Sequence, residues 1–163
     1  MNVEVRPLQR EHWEDVERIY LEGIATRNAT FETAAPSWEQ WDRRHLAELP
    51  LVAIDADVVL GWAALSPVSD RCVYGGVAEE SVYVAEKARG NGIGRLLLEE
   101  LIHRAEAAGI WTIQTGIFPE NEASIRLHER VGFRVLGVRE KLGKLDGAWR
   151  DVFFLERRSP NVL

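Results

Sequence analysis

Residues 88–101 read ARGNGIGRLLLEEL, a stretch that joins three closely spaced glycines to an amphipathic helix. A strand-like segment ending at Val84 precedes the glycines, and apolar residues recur at helical spacing through Ile93, Leu97 and Leu101. The first backbone amides of a helix have no partner within it, and the helix dipole is positive at that end. The stretch therefore predicts an anion-binding junction between a strand and a helix.

Two common phosphate-binding patterns do not fit this junction. A Walker loop needs Lys-Ser or Lys-Thr after its second glycine, and a dinucleotide loop needs a further glycine that is absent whether counting starts at Gly90 or Gly92. The pattern that remains is R-x-x-G-x-G, formed by Arg89, Gly92 and Gly94. A plain glycine-rich turn before a helix can have the same spacing, so other motifs must decide its role.

Length and composition favour one domain over residues 1–163. The formal net charge of −6 weighs against nucleic-acid binding, which needs a basic surface. No apolar run is long enough for a membrane helix, and the N-terminal residues contain no signal-peptide core. Cys72 is the only cysteine and the histidines have no ligand spacing, so we expect no disulfide and no metal site. A cytoplasmic protein is the simplest interpretation.

The periodicity of apolar residues predicts the element order β-α-α-β-β-β-α-β-α-β-β, a mixed α/β plan with one central strand–helix–strand unit. Ser37 and Gln40 match a capping box, which predicts that a second helix runs from there to Pro50. Asp146 and Gly147 predict the turn of a C-terminal hairpin. The predicted strands are residues 3–7, 51–54, 58–66, 80–84, 111–117, 133–139 and 149–156, and the predicted helices are residues 13–24, 37–49, 93–108 and 120–131.

Residues 121–133, NEASIRLHERVGF, form a second motif downstream of the glycines. Together the two stretches resemble the Q/R-x-x-G-x-G/A loop and the N-x-x-[SA]-x-x-x-[YF]-x-x-x-G-F segment of the GNAT superfamily of acetyl-CoA-dependent N-acetyltransferases. The order of the motifs and of the predicted elements is similar to that superfamily over nearly the whole chain. The resemblance implies a mixed, mostly antiparallel central sheet flanked by helices, with strands splayed apart at a cofactor cleft.

Four shorter stretches resemble one branch of the superfamily, the phosphinothricin and methionine sulfone acetyltransferases. They are TFET at residues 30–33, AEESVYV at 78–84, SIRLHE at 124–129 and DGAWRDV at 146–152. The resemblance implies acetyl transfer to the α-amine of a small amino-acid-like anion, such as phosphinothricin, methionine sulfone or methionine sulfoximine. Because relatives in this branch are often dimers, we also expect a homodimer, formed through an exposed Trp38/Trp41 helix or the C-terminal strands.

The resemblance also implies the contacts with coenzyme A. The glycine-rich stretch would hold the pyrophosphate on its backbone amides, and the preceding strand would offer backbone groups to the pantetheine arm and the thioester oxygen. The helix of the second motif would contact the pantetheine and phosphate part. The implied cofactor-binding residues are Val82, Tyr83, Val84, Arg89, Gly90, Asn91, Gly92, Ile93, Gly94, Arg95, Asn121 and Ser124.

Glu79 is the predicted general base for the amine, because it matches the glutamate that this branch places before its V-Y-V strand. Glu80 is the neighbouring alternative. A carboxylate of ordinary pKa is a weak base, so Glu79 would need a raised pKa or a relaying water. His128 stands where many superfamily members carry a tyrosine that protonates the departing thiolate, and histidine suits that step near neutral pH. The alternative for His128 is a hydrogen-bonded structural histidine.

Four residues are predicted to contact the amine substrate. Arg71 and Tyr74 match the spacing of an arginine and an aromatic residue in the phosphinothricin enzymes, and a guanidinium fits a carboxylate or phosphinate. Phe31 and Trp149 match aromatic residues of the T-x-F and D-G-x-W stretches. The loop around Arg71 shares little else with the branch, so the cofactor is better specified than the acceptor.

Two other functions stay open at this stage. The same fold could acetylate a protein N-terminus or another amine, although Arg71 argues against polycationic acceptors such as polyamines and aminoglycosides. The chain could also be a coenzyme A-binding module without catalysis. The presence of both Glu79 and His128 weighs against that second alternative.

Overall fold

The computed structural model describes residues 1–163 and contains one seven-stranded sheet and four α-helices. The strands are β1 (Glu4–Pro7), β2 (Leu51–Asp55), β3 (Val58–Pro67), β4 (Val77–Val84), β5 (Thr112–Ile117), β6 (Arg134–Leu145) and β7 (Ala148–Arg158), and the helices are α1 (Trp13–Ala25), α2 (Trp38–Arg44), α3 (Ile93–Ala107) and α4 (Glu122–Arg130). The sheet order is β1-β2-β3-β4-β5-β7-β6, and only β4 and β5 pair in parallel. This mostly antiparallel sheet confirms the predicted fold class.

β4 and β5 pair only at their N-terminal ends and then separate. Their register runs from Val77 opposite Thr112 to Glu79 opposite Gln114. Beyond this point both strands continue without pairing to each other. The divergence opens a cleft in the middle of the sheet, as the resemblance implied. β4 begins at Val77, earlier than predicted, because its first three residues pair with β5.

β3 is covered on both faces because successive side chains of a strand alternate between them. Trp62 packs toward α1, where its ring centroid lies 5.9 Å from that of Tyr20. Gly61 faces α3, where an added Cβ would lie 3.0 Å from a methyl carbon of Leu97. α1 and α3 therefore pack on opposite faces of the sheet, which explains the apolar periodicity of both helices.

α2 is shorter than predicted. The Ser37 capping box is present, with the Gln40 amide donating to Ser37 Oγ at 3.2 Å. The helix ends at Arg44 because His45 adopts an extended conformation and its Nδ1 donates to the Trp41 carbonyl at 2.6 Å, which caps the last turn. Trp41 is buried, so the expectation that it lies on an exposed dimerisation surface is wrong.

The C-terminal hairpin is longer than predicted. Asp146 and Gly147 form its turn with φ values of 51° and 79°, which confirms the predicted position. β6 continues past Arg139 through a register irregularity that ends at Gly143, and this break hides the strand periodicity from the sequence. None of the four helices has the length and apolar character of a membrane span.

Candidate active site

Two adjoining cavities lie beside β4, and the smaller one extends between β4 and β5. The small cavity, about 300 Å³, lies beside Phe31, Glu79 and His128. The large cavity, about 640 Å³, lies beside residues 89–95, which we call the glycine loop. The residues that line both cavities are Asn28, Ala29, Val82, Tyr83, Asn121 and Ser124. A molecule that extends along β4 can therefore reach from the glycine loop to Glu79.

The glycine loop leaves its backbone amides free. Gly90 and Gly92 both have a φ of 79°, in the left-handed region, and an added Cβ on either would meet nothing within 4 Å. The amides of residues 90–95 donate to no backbone carbonyl. They lie at the N-terminus of α3, where the helix dipole is positive. The loop is therefore suited to binding an anion.

Gly94 is required for packing rather than for backbone conformation. An added Cβ there would lie 2.9 Å from Leu127 Cδ2, so the glycine lets α3 and α4 approach closely beneath the large cavity. Arg89, Arg95 and Arg130 line the same cavity and add positive charge. Arg130 was missed by the sequence analysis, because it falls at a position of the second motif where the family pattern specifies no residue type. Free amides and three arginines suit a ligand that carries a pyrophosphate.

Asn121 joins α4 to the loop that follows α1. Its side-chain oxygen accepts a hydrogen bond from the Ser124 amide at 3.3 Å, and its side-chain nitrogen donates to the Asn28 carbonyl at 3.2 Å. The first bond caps α4 and the second ties the helix to the opposite wall of the cleft. Ser124 is thereby held where the two cavities meet.

Glu80 is the carboxylate that contacts His128. Its Oε1 lies against His128 Nε2, and the two side chains are 1% and 2% exposed respectively. The other ring nitrogen, Nδ1, lies 2.7 Å from the Ser124 carbonyl oxygen and 3.4 Å from Ser124 Oγ. Glu80 Oε2 is buried and has no hydrogen-bond partner. The residues that form this buried cluster therefore come from β4 and α4.

Opposing effects act on the His128 ring. Burial lowers its pKa, whereas the charge of Glu80 and the hydrogen bonds to Glu80 and the Ser124 carbonyl raise it. The net direction is upward, so His128 retains its proton to a higher pH than an ordinary histidine. The cluster can therefore act as an acid near neutral pH.

Glu79 lies on the wall of the small cavity with its side chain exposed to solvent. Desolvation by the surrounding protein and the charge of Glu80 raise the pKa of its carboxyl group, and the nearby Arg139 offsets part of that rise. A raised pKa is the property that a carboxylate base needs. Glu79 is also accessible to an acceptor, whereas Glu80 is buried against His128.

The predicted substrate residues are divided between the cleft and the surface. Phe31 lines the small cavity and meets Phe118 edge to face, with ring centroids 4.9 Å apart. Arg71, Tyr74 and Trp149 line neither cavity, and all three are exposed. The Arg71 guanidinium instead lies 5.4 Å from the centre of the Tyr74 ring. A single chain thus brings only Phe31 of these four residues to the small cavity.

Arg150 supports the small cavity and was missed by the sequence analysis. Its guanidinium lies 4.0 Å from the Phe118 ring centroid, donates to the Arg27 carbonyl at 2.8 Å and donates to Asn28 Oδ1 at 3.1 Å. These contacts fix the loop after α1 against β7. The feature of the sequence that could have identified Arg150 is its position directly after Trp149 in the DGAWRDV stretch.

A splayed sheet with a loop of free backbone amides at one end of its cleft and ionisable side chains at the other is typical of a transferase that uses a nucleotide-bearing cofactor. A model of the acetyltransferase (GNAT) family matches residues 8–133, and the chain belongs to this family. It is an acetyl-CoA-dependent N-acetyltransferase. The residues at the large cavity accordingly suit coenzyme A.

Individual relatives agree with this assignment. The chain is 35% identical to the phosphinothricin N-acetyltransferase of Streptomyces coelicolor over 95% of each chain. It is 40% identical to an L-methionine sulfoximine/L-methionine sulfone acetyltransferase of Pseudomonas aeruginosa, over 82% of this chain and 73% of that protein. The solved phosphinothricin acetyltransferase of Sinorhizobium meliloti in complex with acetyl-CoA matches with a TM-score of 0.87 and 30% identity, over 97% of this chain and 89% of that one. The family resemblance drawn from the sequence is confirmed.

Proposed function

We propose that this enzyme acetylates the α-amine of a small amino-acid-like anion of the phosphinothricin, methionine sulfone or methionine sulfoximine type. The names of its relatives support this acceptor class. The small cavity, about 300 Å³, suits an amino acid better than a folded protein. The observation that carries the proposal is the exposed carboxylate of Glu79 in a cavity that joins the coenzyme A cleft at Ser124.

Direct transfer needs a base, and we propose Glu79 for that role. The acceptor ammonium gives a proton to Glu79, directly or through a water, and the free amine then attacks the thioester carbon. A backbone amide of residues 82–84 stabilises the negative charge that develops on the thioester oxygen. His128 is the proposed source of the proton taken up by the departing thiolate.

For the cofactor, we propose that the amides of residues 90–95 hold the pyrophosphate, with Arg89 and Arg95 beside it. The pantetheine arm would then lie along residues 82–84 and pass Ser124. Asn121 already uses both side-chain polar atoms within the protein. We therefore propose that Asn121 acts on the cofactor by holding Ser124 and the cleft wall in place.

We propose a homodimer in which Arg71, Tyr74 and Trp149 complete the acceptor site, with Phe31 packing against the acceptor from within one chain. The exposure of the first three side chains supports this arrangement. β6 at the sheet edge offers the apolar surface for assembly, through Val135, Leu136, Val138 and Leu142. We also propose that the protein is cytoplasmic. Because Glu79 and His128 supply the proposed acid–base chemistry, we propose that the reaction requires no metal.

A panel of acceptors tests the proposed function, with release of the coenzyme A thiol as the readout. The panel contains phosphinothricin, methionine sulfone, methionine sulfoximine, a polyamine and a peptide with a free N-terminus. We expect turnover with the first three. Turnover of the peptide alone would overturn the acceptor class, and binding of acetyl-CoA without turnover of any amine would favour the non-catalytic module.

A further inference from the structure

Both ring nitrogens of His128 already have protein partners. Nδ1 lies 2.7 Å from the Ser124 carbonyl oxygen, and Nε2 contacts Glu80 Oε1. A carbonyl oxygen only accepts hydrogen bonds, so Nδ1 carries a proton. The residue is 1% exposed. A substrate atom in the cleft therefore reaches neither nitrogen directly.

A second proton lies between Nε2 and Glu80 Oε1, because two lone pairs would repel each other at a hydrogen-bond contact. The pair is either an imidazolium with a carboxylate or an imidazole with a carboxylic acid, and its net charge is zero in both forms. If Nδ1 passes its proton to the Ser124 hydroxyl, it accepts a hydrogen bond from that hydroxyl in place of donating to the carbonyl, and the ring keeps the proton on Nε2 and donates it to the Glu80 carboxylate. The His128–Glu80 pair can therefore give up one proton without breaking apart.

Ser124 connects this pair to the cleft. Its Oγ lies 3.4 Å from His128 Nδ1, and its side chain lies where the small and large cavities meet. A hydroxyl can accept one hydrogen bond while it donates another. It is therefore suited to pass a proton from a buried donor to an accessible acceptor.

We propose that the Ser124 hydroxyl, rather than the His128 ring, gives the proton directly to the coenzyme A thiolate, and that His128 resupplies the hydroxyl while Glu80 positions the ring. This inference rests on the proposed function, since it concerns the departure of the thiol in that reaction. It also changes the expected role of Ser124 from a pantetheine contact to a catalytic residue.

The protons balance over one turnover. The C–S bond of the thioester breaks as the C–N bond forms, and the sulfur leaves with the electron pair. Sulfur takes the proton of Ser124 Oγ, Oγ takes the proton of His128 Nδ1, and the negative charge remains on Glu80. The acceptor ammonium has lost two protons; one restores His128, and the other is released to solvent.

The first test compares Ser124→Ala with Ser124→Thr, which keeps a hydroxyl at the same position. We expect the alanine variant to lower kcat about 100-fold, near the low end for general-acid catalysis because a thiolate already leaves readily. The KM for acetyl-CoA should change by less than about twofold, and the threonine variant should recover most of kcat. A rise in KM with kcat unchanged would overturn the proposal, because it would assign Ser124 to binding alone.

A binding measurement tests the same contact without an acceptor amine. Calorimetry compares coenzyme A with desulfo-coenzyme A, which lacks the sulfur atom. If Ser124 Oγ contacts sulfur, Ser124→Ala should weaken coenzyme A binding about fivefold, the value of one modest hydrogen bond, and leave desulfo-coenzyme A binding unchanged. Equal loss for both ligands would overturn the proposal.

The role of Glu80 has its own readout. Glu80→Gln should lower kcat and shift the ¹⁵N resonance of His128 Nε2, because that nitrogen loses the proton it shares with Glu80 Oε1, which a loss of packing alone would not do. Unchanged resonances would remove Glu80 as the positioning residue.

Failure of the proposed function would give a different result. The wild-type enzyme would then turn over none of the small amino-acid-like acceptors, while the calorimetric comparison would still decide the role of Ser124.

Discussion

The large and small cavities of the cleft are built in different ways. The large cavity depends on the glycine loop, a continuous stretch whose free amides and left-handed glycines form the binding surface. The small cavity depends on side chains from separate elements, among them Phe31, Glu79, Phe118 and His128. The proposed cofactor site is therefore encoded locally, whereas the proposed acid–base site depends on how β4, β5 and α4 pack together.

The largest expected effect is that of Glu79→Gln. The variant keeps the shape of the side chain but cannot take a proton, so kcat should fall about 100- to 1,000-fold. The KM for acetyl-CoA should change by less than about twofold, because the large cavity is untouched. Thiol-release kinetics measure both values, and Glu122→Gln, an exposed glutamate of α4, is the control. If Glu79→Gln lowered the affinity for acetyl-CoA as well as kcat, the two cavities would not have separate roles.

Glu80→Gln should reduce stability as well as activity. Removing one charge of a buried pair costs about 3 kcal/mol. The folded pKa of His128 is raised, so this contribution is fully present below the ordinary histidine pKa and is lost as pH rises through the folded value. Denaturant unfolding of both proteins should therefore show the largest difference at acidic pH and a smaller one at alkaline pH.

The control for this prediction is Glu4→Gln, which breaks the exposed ion pair with Arg6. Exposed pairs contribute little, so the free energy of unfolding should hardly change. If Glu80→Gln changed the free energy of unfolding as little as Glu4→Gln does, the buried Glu80–His128 pair would not stabilise the protein more than an exposed pair.

Gly92→Ala tests the large cavity against a matched position on the same helix. Gly92 and Gly109 flank α3, with φ values of 79° and 83°, and an added Cβ on either meets nothing within 4 Å. Both alanine variants should lose about 1 kcal/mol of stability, since each forces a side chain into left-handed backbone. Only Gly92→Ala should raise the KM for acetyl-CoA, by about tenfold, because its Cβ enters the cofactor cleft. Equal KM values would separate the glycine loop from cofactor binding.

The smallest effect is expected for Arg139→Ala. Arg139 lowers the pKa of Glu79, so its removal should raise that pKa further. Because the base must be ionised, the acidic limb of the kcat/KM profile should move to higher pH. Arg134→Ala, on the same strand and paired with Glu156 at 3.3 Å, is the control and should leave the limb in place. If the acidic limb did not move in Arg139→Ala, a residue other than Glu79 would be the base.

Local patterns were enough to predict the parts of the molecule that consist of short continuous stretches. The Ser37 capping box and the Asp146–Gly147 turn were predicted correctly, because each depends on neighbouring residues. The end of α2 was not, since it depends on His45 folding back onto Trp41. The continuation of β6 was also missed, because an irregularity of pairing breaks the alternation that identifies a strand.

The sequence by itself determined the family, the element order and the position of the glycine loop, because motif spacing and helix polarity are properties of the chain. Only the tertiary structure decided which carboxylate faces which partner. Glu79 and Glu80 are adjacent in sequence, yet strand alternation and the packing of α4 leave one exposed in the cleft and bury the other against His128. That contact joins residues separated by 48 positions, so no local pattern of the chain specifies it.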